Sequence, residues 1–208
     1  MKVIALSCLL ATLASASARA EVIDRVLAVA AGEVITLSDV MAARDLGLES
    51  SGSSPDPIGA VLSKLIDREL VLAEVDRYAP PEPTAAAVDH ELEVVRARFP
   101  SLDAYASALA ASGIDELHLR RILRENLRIQ AYESQRFTVL PPSDEELAQY
   151  YRTHPQDFTR DGKVAPLEAV RPQVAQVLVS ERRTTMIEDW VSGLRRRADV
   201  LDLYLPGR

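Results

Sequence analysis

The side chains that most often carry chemistry are scarce in this chain, and they lie far apart in the sequence. The three histidines, His90, His118 and His154, each lie within or beside a helix-like segment. A zinc site needs paired ligands, as in His-Glu-x-x-His, but His90-Glu91 has no second histidine at the required offset. We therefore expect no metal and no other cofactor, with the histidines on exposed helix surfaces.

Nucleophilic and phosphate-binding motifs are also missing from the sequence. The single cysteine, Cys8, lies in an N-terminal segment that we expect to be removed. There is no Gly-x-Ser-x-Gly elbow and no glycine-rich phosphate loop, since Gly32 and Gly113 each stand alone. The acidic run Asp144-Glu145-Glu146 opens a helix, where carboxylates favour the helix dipole. The sequence therefore predicts a protein without catalytic residues, not an enzyme.

Composition and charge favour a folded, acidic protein. The length of 208 residues predicts one domain or two small ones. The composition, 48% hydrophobic and 26% charged, is typical of an ordinary globular protein. The formal net charge is −7, so the overall field repels nucleic acid and anionic lipid surfaces. The strongest local basic run is Arg195-Arg196-Arg197, which we expect at a helix C-terminus, where cations offset the dipole. We expect no nucleic-acid partner.

Residues 1–20 have the pattern of a secretory signal peptide. Lys2 precedes a short apolar stretch, and small residues lead to the cleavage motif Ala18-Arg19-Ala20. We expect cleavage after Ala20 and export to the periplasm, without stable membrane insertion, because the apolar stretch is too short to span a bilayer. A lipid-modified Cys8 is the alternative, but the apolar stretch before Cys8 is shorter than such a signal needs.

The two ends of the mature chain are predicted to form one small antiparallel sheet. Val22–Val29 and Val34–Thr36 are β-like runs around a tight, glycine-containing turn, as in a hairpin. A lone hairpin is marginal in water, so a third strand is needed. Asp199–Leu205 alternates as strands do, and we expect it to pair with the hairpin. Thr36 with Asp39, or Ser38 alone, is the expected cap of the first helix.

Between these ends, apolar residues recur at helical spacing, so the predicted fold is mainly α: a multi-helix module with a small antiparallel sheet formed by the N-terminal hairpin and the C-terminal strand. Caps and stop signals predict helices over about 39–46, 58–78, 84–99, 102–112, 115–137, 143–154 and 167–198. The last helix is polar from Ser180 to Thr185 and apolar on either side, which predicts a bridge between two packing sites. We expect a helical lobe over 21–158, with 159–208 packing back on it.

Aromatic side chains lie mostly near helix ends and proline-rich breaks, and they allow two interpretations. They could cap the core between helices. They could instead line a groove for an extended apolar partner, because such rings give large contact area at small entropic cost. For the groove, the candidate peptide-binding residues are Leu46, Leu48, Phe99, Tyr105, Tyr132 and Phe137. Both interpretations remain open at the level of the sequence.

Five segments stand out by their order along the chain. They are 24–40 (DRVLAVAAGEVITLSDV), 62–79 (LSKLIDRELVLAEVDRYA), 101–137 (SLDAYASALAASGIDELHLRRILRENLRIQAYESQRF), 140–158 (LPPSDEELAQYYRTHPQDF) and 166–200 (PLEAVRPQVAQVLVSERRTTMIEDWVSGLRRRADV). In this order the chain resembles SurA-type periplasmic chaperones, which open with a strand, a turn, an Ile-Thr strand and a capped helix. The resemblance covers nearly all of residues 21–206 and implies a chaperone module whose C-terminal helix folds back onto the N-terminal lobe.

One departure from that family bears on function. Its members commonly carry one or two parvulin-type prolyl isomerase domains before the C-terminal helix, whereas here only the eight residues Thr159–Pro166 fill that place, too few for a domain. The resemblance therefore implies an ATP-independent holdase for unfolded outer-membrane or secreted polypeptides, without isomerase activity. The alternatives are a periplasmic assembly factor with one dedicated partner, or a peptidyl-prolyl cis-trans isomerase.

Overall fold

The N-terminal hairpin forms as the sequence predicts. The computed structural model describes residues 24–160 and 162–206, so the predicted signal peptide, its cleavage site and Cys8 lie outside the described residues. Strand β1 (Val26–Ala30) pairs antiparallel with β2 (Glu33–Thr36) across the turn Ala31-Gly32. The two turn residues have φ of 53° and 88°, and a type I′ turn requires positive φ at both positions.

The chain ends close on each other through a third strand. β5 (Val200–Asp202) pairs antiparallel with the other side of β1, giving the order β2-β1-β5. The Leu203 N–H extends this pairing by donating to the Leu27 carbonyl at 2.9 Å. Tyr204 then reaches the helix that starts at Pro57, where its hydroxyl donates to the Asp56 carboxylate at 2.8 Å. The predicted closure is confirmed, although the strand is shorter than Asp199–Leu205.

Seven α-helices account for most of the described residues, which confirms the mainly α fold class. They are α1 (Leu37–Asp45), α2 (Pro57–Tyr78), α3 (Ala85–Arg96), α4 (Leu102–Ser112), α5 (Glu116–Arg136), α6 (Asp144–Thr153) and α7 (Leu167–Arg197). The predicted caps are in place. Thr36 and Asp39 satisfy each other's backbone N–H groups at the start of α1, and Ser143 and Glu146 do the same for α6.

The apolar side chains form three clusters, which the predicted helix periodicity helps to explain. The first lies between the sheet, α2 and the C-terminal half of α7, and the second lies among α1, α3, α4 and α5. The third joins α6 to the N-terminal half of α7 around Leu147, Phe158 and Val174. Because Leu194 belongs to the first cluster and Val174 to the third, α7 bridges two packing sites as predicted.

The segment before α7 is more ordered than the polar loop that the sequence suggested. A short 3-10 helix (Pro155–Phe158) leads into β3 (Thr159–Arg160), which pairs antiparallel with β4 (Lys163–Val164). The Tyr151 hydroxyl donates to the Ala165 carbonyl at 2.7 Å, which ties this hairpin to α6. Side chains distant in sequence thus supply the order that the loop composition did not indicate.

Candidate functional site

A cleft lies between the hairpin and the helices α2 and α5, and its volume is about 660 Å³. One wall follows the chain from Glu33 to Thr36, which is all of β2. The opposite wall comprises α2 from Leu65 to Asp76 and α5 from His118 to Asn126. The stretch of α2 rises about 16 Å at 1.5 Å per residue. An extended segment of about five residues has a similar length.

Apolar side chains form the floor of this cleft. Ile35 and Leu65 are buried in the first cluster, whereas Leu48, Leu72 and Ile122 are half-buried. Covering such partly exposed apolar surface with an apolar ligand is favourable, because the surface then leaves water. The floor can therefore take up apolar side chains without any rearrangement of the core.

The rim of the cleft carries an excess of negative charge. Seven carboxylates line it, against three basic side chains. The carboxylates are Asp24, Glu33, Asp39, Glu49, Glu69, Asp76 and Glu125, and the basic residues are Arg68, His118 and Arg121. Four of these carboxylates are already in ion pairs: Glu69 and Glu125 with Arg68, Glu49 with Lys64, and Asp76 with Arg128. The excess of negative charge therefore lies on Asp24, Glu33 and Asp39, at the β2 side of the cleft. Because opposite charges steer association and set register, this side favours a ligand with basic groups.

Arg68 holds the two helical walls together. Its guanidinium donates to Glu69 at 2.5 Å on α2, and to Glu125 at 2.6 Å and Asn126 at 2.9 Å on α5. The Arg68 side chain is 13% exposed, so these charge-assisted bonds replace its contacts with water. Arg68 is therefore a cross-link within the wall, and its positive charge is already compensated.

The surroundings of Glu69, one of the carboxylates of the cleft, disfavour its charged form. Burial has the largest effect and raises the pKa of Glu69, and Arg68 lowers it only in part. The charges of Glu125 on α5 and Glu33 on β2 raise the pKa further. Glu69 thus lies near two like charges, one on α5 and one on β2, and Arg68 is the cation that partly offsets them.

The end of the cleft nearest α1 is a network of polar groups. Asp39 accepts hydrogen bonds from the Thr36 backbone N–H and hydroxyl, both at 2.8 Å. Asp24 accepts from the Ser38 N–H at 3.2 Å. Burial acts to raise the pKa of Asp24, but the hydrogen bonds from Thr36 and Ser38 outweigh it and the pKa is lowered. His118 lies 4.0 Å from Asp39.

Three of the predicted peptide-binding residues lie in the second core cluster and do not line the cleft. Leu46 is 1% exposed and Tyr105 is 5% exposed, while the half-buried Phe99 packs edge-on against Tyr105 with ring centres 5.7 Å apart. The Arg96 guanidinium covers the Tyr105 ring at 5.4 Å. Leu46 and Tyr105 are core residues because α1, α3, α4 and α5 enclose them, and Phe99 packs against the edge of this cluster. The core-capping interpretation therefore applies here.

Tyr132 and Phe137 are likewise core residues in this structure, 7% and 6% exposed. Their rings lie 5.8 Å and 5.3 Å from that of Trp190, the single tryptophan, which α7 brings against the end of α5. The Arg136 guanidinium lies 5.4 Å from the Trp190 ring centre. The groove that the sequence analysis drew through Tyr132 and Phe137 is thus filled by α7, which returns from a distant part of the chain.

Of the six predicted residues, Leu48 does lie in the cleft. The larger contribution, from β2, α2 and α5, was not predicted from the sequence. One signal was present, because Asp67-Arg68-Glu69 places three consecutive charges between the apolar pairs Leu65-Ile66 and Leu70-Val71 of α2. Charged residues inside a largely buried helix often mark an ion pair or a site, and here Arg68 and Glu69 form an ion pair and line the cleft.

The histidines differ in part from their predicted exposure. His90 is exposed, but His118 and His154 are half-buried, the latter stacked on Tyr150 with ring centres 4.1 Å apart. Over residues 24–160 and 162–206, no group of three or more His, Cys, Asp or Glu side chains is placed to hold a metal ion. None of the helices described is both long enough and apolar enough to cross a membrane.

No family model matches this chain, and no curated protein matches it either. The resemblance to SurA-type chaperones therefore rests on the five sequence segments alone.

Proposed function

We propose that this chain is an ATP-independent holdase that binds unfolded polypeptides in the periplasm. The observation that carries the proposal is the cleft, with its half-buried apolar floor, its carboxylate rim and the exposed strand along one side. A surface of this kind holds an extended segment through many weak contacts. Weak contacts allow spontaneous release, which a holdase needs where no ATP is available.

Three features of the sequence support this proposal. Residues 1–20 have the signal-peptide pattern, which would deliver the mature protein to the compartment that outer-membrane proteins cross unfolded. The net charge is −7 and becomes more negative when Lys2 and Arg19 are removed, which opposes self-association while a client is held. The five segments that resemble SurA-type chaperones point the same way.

The first test is suppression of aggregation. An unfolded outer-membrane β-barrel protein is diluted from urea, and light scattering is followed with and without the purified protein. We expect suppression at near-stoichiometric amounts. Absence of suppression by protein that circular dichroism shows to be folded would contradict the holdase proposal.

A pair of leucine variants assigns that activity to the cleft. Leu72→Gln makes the floor polar, and we expect the amount needed for half-suppression to rise several-fold. Leu102→Gln changes a leucine that is 71% exposed at the start of α4, outside the cleft lining, and should leave the activity unchanged. Thermal unfolding of both variants checks that they remain folded. Equal activity of the two variants would remove the cleft from the proposal.

A dedicated-partner assembly factor is the second candidate, and one surface favours it. Val34, Val29 and Leu201 stand side by side across the three strands, and Val34 and Leu201 are 52% and 55% exposed. An exposed apolar row of this kind is typical of protein–protein contact. A folded protein that fails to suppress aggregation of any client would favour this candidate.

A further inference from the structure

β2 presents a free backbone edge. The sheet order is β2-β1-β5, so only one side of β2 is paired. In the hairpin, Ala30 and Ala28 lie opposite Glu33 and Ile35, and Val29 lies opposite Val34. Antiparallel pairs alternate between those that exchange hydrogen bonds and those that do not. The two residues that flank a two-residue turn exchange bonds, so the Val29–Val34 pair does not.

The far side of β1 confirms this alternation. The Leu203 N–H donates to the Leu27 carbonyl, so Leu27 and, two residues on, Val29 direct their backbone groups towards β5. Val34 therefore points its N–H and C=O away from β1, and no hydrogen bond to either group is found among the described residues. The next N–H along the edge, that of Thr36, is already bonded to Asp39.

This edge borders the cleft, and the residues across the cleft favour a strand with apolar and basic side chains. Glu33 to Thr36 all line the cleft, and the half-buried Leu72 and Glu69 of α2 line it as well. Side chains of an extended segment alternate between two faces, so one set would meet this wall and the other would lie beside Val34. The excess of carboxylates on the rim makes basic side chains the complementary ones.

We infer that the cleft binds an extended polypeptide segment, rich in apolar and basic residues, as an additional β-strand along the outer edge of β2. This inference rests on the proposed function and names its binding mode and client class. The Val34 N–H and C=O form the two backbone hydrogen bonds of the new pair. A ladder this short adds direction and register but little affinity, which keeps release fast.

The test removes one backbone donor and leaves the sheet intact. Proline is tolerated at an edge position whose N–H does not take part in the ladder, so Val34→Pro should delete the outward donor without breaking the β1–β2 bonds. The probe is a fluorescein-labelled nine-residue peptide of alternating Val and Arg, followed by fluorescence anisotropy. We expect Val34→Pro to weaken binding about fivefold to tenfold, as loss of one net hydrogen bond does.

Val200→Pro is the matched control on the opposite edge of the sheet. Since Leu203 and Leu201 bond to β1, Val200 also directs its N–H outwards, but β5 does not line this cleft. We expect peptide binding of this variant to equal that of the wild type. A peptide with Glu in place of Arg should bind the wild type more weakly than the basic peptide.

A second measurement needs no protein variant. Two N-methylated versions of the basic peptide are made. One carries methyl groups on the odd-numbered backbone amides and the other on the even-numbered ones. Strand addition requires that at least one set weakens binding to the wild-type protein, because its side chains are unchanged and only backbone donors are lost. Equal binding of both methylated peptides and the parent peptide would overturn the inference, even if Val34→Pro fails to fold.

The outcomes separate this inference from the proposed function. Wild-type and Val34→Pro proteins that suppress aggregation and bind the peptide equally well would overturn strand addition and leave the holdase proposal standing. Wild-type protein that binds the peptide through β2 but suppresses no aggregation would overturn the holdase proposal alone. A wild-type dimer that Val34→Pro converts to a monomer would show that a second copy occupies the edge, which also overturns the inference.

Discussion

Two tyrosine hydroxyls occupy opposite situations in this fold. The Tyr132 hydroxyl oxygen is buried without a hydrogen-bond partner among the described groups, whereas the Tyr204 hydroxyl donates to Asp56 at 2.8 Å. A buried polar group without a partner costs stability, and a satisfied one contributes about 1 kcal/mol. The tyrosine hydroxyl therefore lowers the stability of the fold at position 132 and raises it at position 204.

We predict that Tyr132→Phe leaves the free energy of unfolding unchanged or raises it by up to about 1 kcal/mol, because only an unsatisfied hydroxyl is lost. Tyr204→Phe should lower it by about 1 kcal/mol. Urea unfolding of the two variants measures both effects. A larger loss for Tyr132→Phe than for Tyr204→Phe would mean that the Tyr132 hydroxyl has a partner in solution.

Glu69 gives the fold a defined pH dependence. Its pKa is raised in the folded state by burial, so the folded state binds the proton more tightly than the unfolded state does. This contribution is present at low pH and is lost as pH rises from the unfolded pKa through the raised folded pKa. Arg68, Glu125 and Glu33 are the charged groups that face it from α2, α5 and β2.

We therefore expect Glu69→Gln to be more stable than the wild type at pH 7, since no charge has to be buried. The difference should vanish below about pH 4, the ordinary range of a glutamate pKa, where the wild-type side chain is also neutral. Urea unfolding at a series of pH values measures it. A difference that does not change with pH would assign the effect to packing.

At the scale of the element, the ends of the helices show what local sequence controls. The side-chain caps of α3, α4 and α5, at Thr84, Ser101 and Asp115, are all formed as the sequence indicates. The end of α4 at Gly113, with φ of 75°, is also the predicted one. The end of α2 differs, because Ala79 takes the left-handed conformation with φ of 45°, which favours glycine.

Ala79→Gly should raise the free energy of unfolding by about 0.5–1 kcal/mol, because it relieves the left-handed strain at a modest entropic cost. Ala97 follows α3 with φ of −64° and provides the matched control. Ala97→Gly should lower stability by about 0.5 kcal/mol, since no strain is relieved. Thermal and urea unfolding of both variants test this, and equal effects would show that the Ala79 conformation is unstrained.

At the scale of the whole molecule, the two chain ends depend on each other. β5 covers one backbone edge of β1, and Tyr204 binds the N-cap Asp56 of α2. Arg195, at the end of α7, pairs with Asp67 and donates to the Ser63 carbonyl at 2.5 Å. The basic run that could have indicated a nucleic-acid patch is thus engaged, through Arg195, in closing the fold.

Deletion of residues 199–208 should lower the midpoint of thermal unfolding by on the order of 10 °C, because it uncovers one edge of β1 and removes the Tyr204–Asp56 hydrogen bond. Deletion of residues 205–208 keeps both contacts and should change the midpoint by less than about 2 °C. Differential scanning calorimetry compares the two. If the protein that lacks residues 199–208 has the same midpoint as the wild type, a structural role for β5 is contradicted.

Features governed by near neighbours in sequence could be predicted from the sequence itself. The hairpin turn, the helix caps and the apolar stripes of α2 and α7 follow from φ preferences, hydrogen bonding over three residues and helical spacing. Even the pairing of the terminal strand could be inferred, because a hairpin needs a third strand and one further segment alternates. The sequence alone thus determined the mainly α class and the small terminal sheet.

The candidate site was decided by tertiary structure. Leu46, Tyr105, Tyr132 and Phe137 have the residue types of a binding groove, but residue type does not state which helices will cover a side chain. Trp190 reaches Tyr132 from 58 positions away in sequence, and β2 meets α2 and α5 only when the sheet is closed. Burial and proximity depend on contacts between distant segments, whereas capping and periodicity depend on adjacent ones. The helices and strands could therefore be predicted from the sequence, whereas the cleft could not.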